Sequence, residues 1–257
     1  MNSNATPLLL LPGLMNDARV WSPLVTVVAA DRHVHVAPTH LRDSIAESAH
    51  DAIASMPPGT FAVAGFSLGG YVAQEVCRQA VDRVAGLGLV GTGARADTEE
   101  AKQVRRRMID AVDGGKGGGA AGTFGQVAQG FAARIVHPSR LQDQGLLQLL
   151  LDMAIGVGSE GFIRQQRAAM TRADTRDVLP RMQVPAVVVC GREDQVTPFS
   201  LSQELASLLT DADLVAVEEA GHMSILEQPA TVVAALVRWL RRVDATAAGL
   251  EERPALA

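Results

Sequence analysis

The chain has 257 residues, 47% of them hydrophobic and 4% aromatic, enough for one large α/β domain with an insertion. A net charge of −5 gives no global basic character to attract nucleic acid, and solubility is the plain reading of it. Two cysteines, Cys77 and Cys190, sit in apolar stretches and read as buried free thiols; neither a disulfide framework nor zinc-ligand spacing is present.

The residues ahead of the first apolar run lack a positive segment and a long hydrophobic stretch, so no signal peptide, no membrane span and a cytoplasmic location are expected. Residues 8–11 form an all-apolar strand, and 18–30 carry a helical pattern through Val20, Trp21, Leu24, Val27 and Val28. Residues 33–38 form a second strand. A helix over 44–56 follows, opened by Ser44 with Glu47 three residues on.

Residues 61–70 read Phe-Ala-Val-Ala-Gly-Phe-Ser-Leu-Gly-Gly, a strand running into Gly65-x-Ser67-x-Gly69 and then at once into a helix over 68–80. A strand that turns sharply into a helix strains its turn residue, and the residues two positions away must be small. The hydroxyl is thereby held clear of the sheet at a helix N-terminus, where free N–H groups stabilise negative charge. An ordinary N-cap serine would suit the same position; the flanking glycines favour a nucleophile.

A strand over 84–91 follows, and alternation of strands with helices at this spacing predicts a parallel sheet covered on both faces. The rhythm then breaks. Residues 95–181 hold no strand pattern but four helical stretches, 99–112, 125–135, 142–155 and 161–172. The glycine-rich run 113–122 lacks Gly-Lys-Ser/Thr and a preceding strand, so it reads as a hinge rather than a phosphate loop. The sheet resumes with strand 186–191, helix 199–209, strand 214–218 and helix 230–243, leaving 244–257 as a frayed tail.

A serine needs a base, and the base an orienting acid. Asp194 closes the turn after strand 186–191, and His222 stands just past strand 214–218. Acid, base and nucleophile thus occupy the carboxyl ends of strands, where open α/β sheets bind ligands. Glu193 would point to the opposite face of an extended segment, and Glu218 and Glu219 lie too near His222 in the chain. Of the other histidines, His40 follows a strand end and is a pocket candidate. A metal cluster of His33, His35 and His40 lacks a matching carboxylate or cysteine.

With Leu10-Leu11-Pro12-Gly13, Gly65-Phe66-Ser67-Leu68-Gly69-Gly70, Gly191-Arg192-Glu193-Asp194 and Gly221-His222-Met223-Ser224 in place, the chain resembles the α/β-hydrolase superfamily over nearly its whole length. Within it, the chain is most similar to small microbial carboxylesterases, including pimeloyl-carrier-protein methyl ester esterases. The resemblance implies an α/β-hydrolase fold, with residues 1–94 and 182–243 as core and 95–181 as a helical cap. It also implies a Ser67–His222–Asp194 triad cleaving a small ester through an acyl-enzyme, with backbone N–H groups of Leu14 and Leu68 as oxyanion hole. Proline and glycine stand at positions 12 and 13, where His-Gly is frequent, and 37–44 replaces the family's Asp-x-x-Gly-x-Gly-x-Ser loop; the usual N-terminal hairpin is absent.

Expected pocket residues are Met15, His40, Leu146, Leu150 and Met223; Leu149, Met153, Ile155 and Phe162 are further candidates, although their helical spacing equally fits core packing. No cofactor or metal is implied, and the partner is a small-molecule ester or related acyl compound acted on by a monomer or homodimer. Lactonase, thioesterase, carbon–carbon hydrolase and perhydrolase chemistry use the same triad, as would a ligand-binding receptor of this fold. A haloalkane dehalogenase or the usual epoxide hydrolase would carry aspartate at position 67.

Overall fold

The computed structural model describes residues 5–113 and 120–249. Six strands form one sheet: β1 Leu8–Leu11, β2 Val34–Val36, β3 Phe61–Phe66, β4 Val84–Val90, β5 Ala186–Gly191 and β6 Ala212–Val217. Their order is β2-β1-β3-β4-β5-β6, and every neighbouring pair is parallel. The chain moves outward from β1 to β2 and then crosses to β3 on the other side. The carboxyl ends of β1 and β3 therefore border the crevice created by that reversal.

Parallel strands require crossovers, and the crossovers here are helices that bury both sheet faces. On one face, Leu8, Leu10, Ala62, Ala64, Val187 and Val189 pack with α1 (Ser22–Val28) and α9 (Pro229–Ala247). On the other, Leu9, Leu11, Val63, Leu87, Leu89 and Val188 pack with α2 (Ile45–Ala54), α3 (Leu68–Gln79) and α7 (Phe199–Leu208). Successive residues of β1 thus serve opposite cores, as the two-residue period of a strand demands. The glycines of β4 make room for α9: a side chain at Gly88 would meet the Trp239 ring at 3.3 Å, and that indole donates to the Pro185 carbonyl at 2.9 Å.

Between β4 and β5 the described residues hold no strand but three long helices, α4 (Glu99–Asp113), α5 (Ala120–Ile135) and α6 (Gln144–Met170). Residues 114–119 of the glycine-rich run expected to act as a hinge lie outside the described residues. The two helices expected over 142–155 and 161–172 run together as α6, broken only at Gly158 with φ 74° and ψ 169°. By length and composition α6 could cross a bilayer, contrary to the expectation that no such run exists. Its side chains are instead shared among protein contacts: Leu146 and Leu150 join the sheet core, Phe162 and Ile163 pack with α4 and α5, and Gln165 and Gln166 are fully buried.

Two further boundaries differ from the sequence reading. The stretch 18–30 opens as a 3-10 turn over Ala18–Trp21, capped by the Asp17 carboxylate on Arg19 N, before α1 begins with proline in its first turn; Val27 faces solvent. The last helix continues through Ala247, so Asp244 is not part of a frayed tail; residues 250–257 lie outside the described residues. Asp244 accepts from Thr6 N at 3.0 Å and pairs with the buried Arg32 at 2.8 Å, tying α9 to the segments that lead into β1 and β2.

Asp244→Ala leaves that guanidinium with the Thr6 carbonyl but without a counter-charge, and an expected loss of about 2 kcal/mol of stability is to be read from urea unfolding.

Candidate active site

Ser67 stands between the last residue of β3 and the first of α3, with φ 52° and ψ −116°. Non-glycine residues avoid that region, and the conformation persists because its surroundings fix it. Ser67 N donates to the Val90 carbonyl at 2.9 Å, and the Thr92 hydroxyl donates to the Ser67 carbonyl at 2.9 Å. The flanking glycines are required sterically. A Cβ at Gly65 would strike the Gly69 carbonyl, and one at Gly69 would strike the Leu11 carbonyl.

The structure brings the three expected side chains together. His222 Nε2 lies 2.9 Å from Ser67 Oγ, and His222 Nδ1 lies 2.8 Å from Asp194 Oδ2. A carboxylate only accepts, so Nδ1 carries the proton and Nε2 is left to accept from the serine hydroxyl. Asp194 receives three more donors: Val196 N and Thr197 N on Oδ1, and Thr197 Oγ1 on Oδ2, each at 2.8 Å. Burial pushes its carboxyl up, but the attraction of His222 and these hydrogen bonds outweigh that and hold it below the ordinary 3.8. Glu193 turns away, as its place in the chain predicts, and accepts from Ala220 N at 3.2 Å.

His222 is held from below as well. Its N–H donates to the Ile135 carbonyl at the end of α5 (2.8 Å), and the Phe66 ring lies 5.1 Å from the imidazole. Buried Glu227, in α8 (Ser224–Glu227), accepts from His137 N at 2.6 Å, so the histidine loop and the end of α5 are joined twice. Burial pushes the Glu227 carboxyl above its ordinary range.

The Pro12–Met15 loop faces Ser67 and is fixed by a residue that sequence reasoning missed. Gln165, fully buried on α6, accepts from Met15 N at 2.9 Å and donates to the Gly13 carbonyl at 3.2 Å and to Thr39 Oγ1 at 3.1 Å. Thr39 in turn donates to the Pro12 carbonyl. Leu14 N belongs to the peptide whose Gly13 carbonyl Gln165 holds, and it has no partner among the described residues. Leu68 N is the first amide of α3 and has none within its helix.

Next to these groups is a cavity of about 560 Å³ lined by Leu14, Ser67, Leu68, His222 and Met223. The other four expected pocket residues do not line it. Met15 packs with Ile109, Phe124 and Phe162, and Leu146 and Leu150 belong to the sheet core. His40 sits beside Gly161 of α6, where burial lowers its basicity. The cavity wall comes instead from Val104, Arg105 and Met108 of α4, Phe131 and Arg134 of α5, and Gln166 and Ala169 of α6 with Arg172 just past its end, together with Asp97 and Tyr71. Cys77 and Cys190 are buried free thiols, each pushed up to about 12 by burial, and neither lines the cavity.

Comparison with known proteins bears on the family and the fold. A family model described as "Alpha/beta hydrolase family" matches residues 8–236. A pimeloyl-[acyl-carrier protein] methyl ester esterase of Neisseria meningitidis is 28% identical over 75% of this chain, which spans 60% of that relative's length. The protein of the same name from Chromobacterium violaceum is 29% identical over 87% of this chain and 88% of its own. A thermophilic esterase from Thermogutta terrifontis superposes with a TM-score of 0.80 at 26% identity, covering 95% of this chain and 92% of that one.

Because the Asp194 carboxyl is held low when folded, its contribution to stability is complete above the unfolded value of 3.8 and lost as pH falls through the folded one. Thermal melts below about pH 4 are expected to show a steeper loss for the wild type than for Asp194→Asn.

Proposed function

The chain belongs to the alpha/beta hydrolase family and is a carboxylesterase-type hydrolase, and we propose that it cleaves a small carboxylic ester through a covalent acyl-enzyme on Ser67. The observation that carries this reading is the unbroken relay from Ser67 Oγ to His222 Nε2 and from Nδ1 to Asp194 Oδ2.

In the first half-reaction Ser67 Oγ attacks the ester carbonyl carbon while its proton passes to His222 Nε2. The imidazolium so formed is stabilised by Asp194, which also holds the ring in the reactive orientation. Charge building on the former carbonyl oxygen is met by the N–H groups of Leu14 and Leu68, which need no reorganisation because both peptides are already fixed. Collapse breaks the bond to the alcohol oxygen, which leaves with the His222 proton. Water, activated by the same imidazole, then attacks the acyl carbon, and Ser67 recovers its proton as the acid departs. In this reading α4, α5 and α6 act as a cap that shapes the acyl and alcohol space and excludes bulk water.

Gln165 has a positioning role. It anchors the peptides on both sides of Leu14, so it sets the direction of an oxyanion donor without touching substrate.

A p-nitrophenyl ester series is expected to be turned over by the wild type, with Ser67→Ala losing roughly 10⁴-fold or more in kcat. A fluorophosphonate probe should add once, at Ser67 by mass spectrometry; labelling elsewhere, or full turnover by Ser67→Ala, would displace the nucleophile. Gln165→Leu is expected to lower kcat by about ten- to a hundredfold with KM little changed. A rise in KM alone would assign Gln165 to substrate binding instead.

A further inference from the structure

The cavity beside Ser67 has unbalanced charge. Among the described residues that line it are three guanidinium groups, Arg105, Arg134 and Arg172, and a single carboxylate, Asp97. Asp97 is buried and ion-paired on both oxygens, through a hydrogen bond from Arg105 Nε at 2.6 Å and with Arg172 Nη1, a buried nitrogen out of hydrogen-bond alignment, at 2.9 Å. Arg105 is further fixed by the Gln166 side-chain oxygen at 2.8 Å. Arg172 donates to the Arg95 carbonyl at 2.8 Å and stacks its guanidinium 4.1 Å from the Tyr71 ring centre.

These contacts hold two arginines in place and neutralise only one of them. Each guanidinium carries five N–H donors, and the bonds described use fewer than that on either residue. Arg134 adds a third positive charge. It directly precedes Ile135, whose carbonyl holds the His222 backbone, and its side chain has no hydrogen bond or ion pair among the described residues. The rest of the wall nearby is apolar, with Leu14, Val104, Met108 and Phe131. A cationic wall beside this apolar stretch, in a cavity whose further polar side chains such as Asn16, Gln195 and Thr197 are uncharged, suits a ligand with an aliphatic body and an anionic end.

We propose that this cavity takes esters bearing a second, free carboxylate, with that carboxylate held by Arg134 together with the open donors of the Arg105–Asp97–Arg172 cluster. A planar carboxylate matches the guanidinium fork, and Asp97 already shows one bridging two of these arginines. The ester end lies at Ser67, so the inference rests on the hydrolase reading for its orientation but not for its charge preference.

Calorimetric binding to Ser67→Ala separates the two. The probes are monomethyl succinate, glutarate and adipate, which place the charge on the acyl side, and 4-acetoxybutanoate, which places it on the alcohol side. Each is compared with the neutral ester in which an isopropyl group replaces the carboxylate. At least one charged member is expected to bind about tenfold or more tightly than its neutral partner, with the advantage shrinking as salt is raised. Arg134→Gln should remove most of that advantage. Its side chain is exposed and unpaired, so its loss leaves folding intact; Arg105→Gln, at a half-buried position, provides the second test. Equal or weaker binding of every charged member, or a preference untouched by both salt and Arg134→Gln, would overturn the proposal. Wild-type turnover of the same esters reports separately: anion preference without hydrolysis by Ser67 would sink the esterase mechanism and leave the carboxylate site standing.

Discussion

Everything at this site depends on how closely the first turn of α3 approaches β1 and β3. The carbonyl of Gly69 lies where a side chain on Gly65 would be, and the carbonyl of Leu11 lies where one on Gly69 would be. Contact at main-chain distance lets Ser67 sit at the top of the sheet in a conformation that costs about 1–3 kcal/mol elsewhere. It also sets the first amide of α3 beside the loop that follows β1. Nucleophile and both proposed oxyanion donors are therefore products of one backbone contact.

The sheet supplies the other half of the geometry. Because all six strands are parallel, the loops carrying Ser67, Asp194 and His222 emerge from the same edge; Asp194 and His222 follow the neighbouring strands β5 and β6, and the histidine loop reaches back along that edge to Ser67 after β3. Asp194 is positioned by its own turn, through Val196 and Thr197, before it meets the histidine. His222 depends on a more distant element, since its main chain hangs from the end of α5. Acid and nucleophile are thus fixed locally, whereas the base is fixed by the insertion.

That difference explains what could be read from the sequence. Ser67, Asp194 and His222 were legible because each follows an apolar strand and sits in a short pattern whose residue types the chemistry demands. The parallel sheet was legible from the alternation of strand and helix. The cavity wall was not. Leu146 and Leu150 have the spacing of an apolar helix face, but that spacing is the same whether the face meets a substrate or a core, and here it meets the core. Arg105 and Arg172 look like solvated positions on amphipathic helices; only the tertiary fold shows that they converge on Asp97. Gln165 is less visible still, since a lone glutamine in a long helix becomes meaningful only when its partners, Gly13 and Met15, are seen beside it. The reach of α9 to Ala247 was missed because the stop was placed by apolar periodicity, whereas Asp244 is kept in the helix by polar contacts to Arg32 and Thr6.

The double attachment of the histidine loop to the end of α5, through Ile135 and through Glu227, divides labour within the insertion. The end of α5 is bound to the base, and α6 to the loop ahead of Met15 through Gln165. Helix α4 supplies Val104, Arg105 and Met108 to the cavity wall, but among the described residues it makes no hydrogen bond to Ser67, His222 or Asp194. Changes in α4 can therefore reshape what the cavity admits while the reacting groups keep their alignment. All three helices shape the cavity, but α5 and α6 also hold the base and the loop after β1, so α4 is the part of the wall that can be rebuilt without disturbing either attachment.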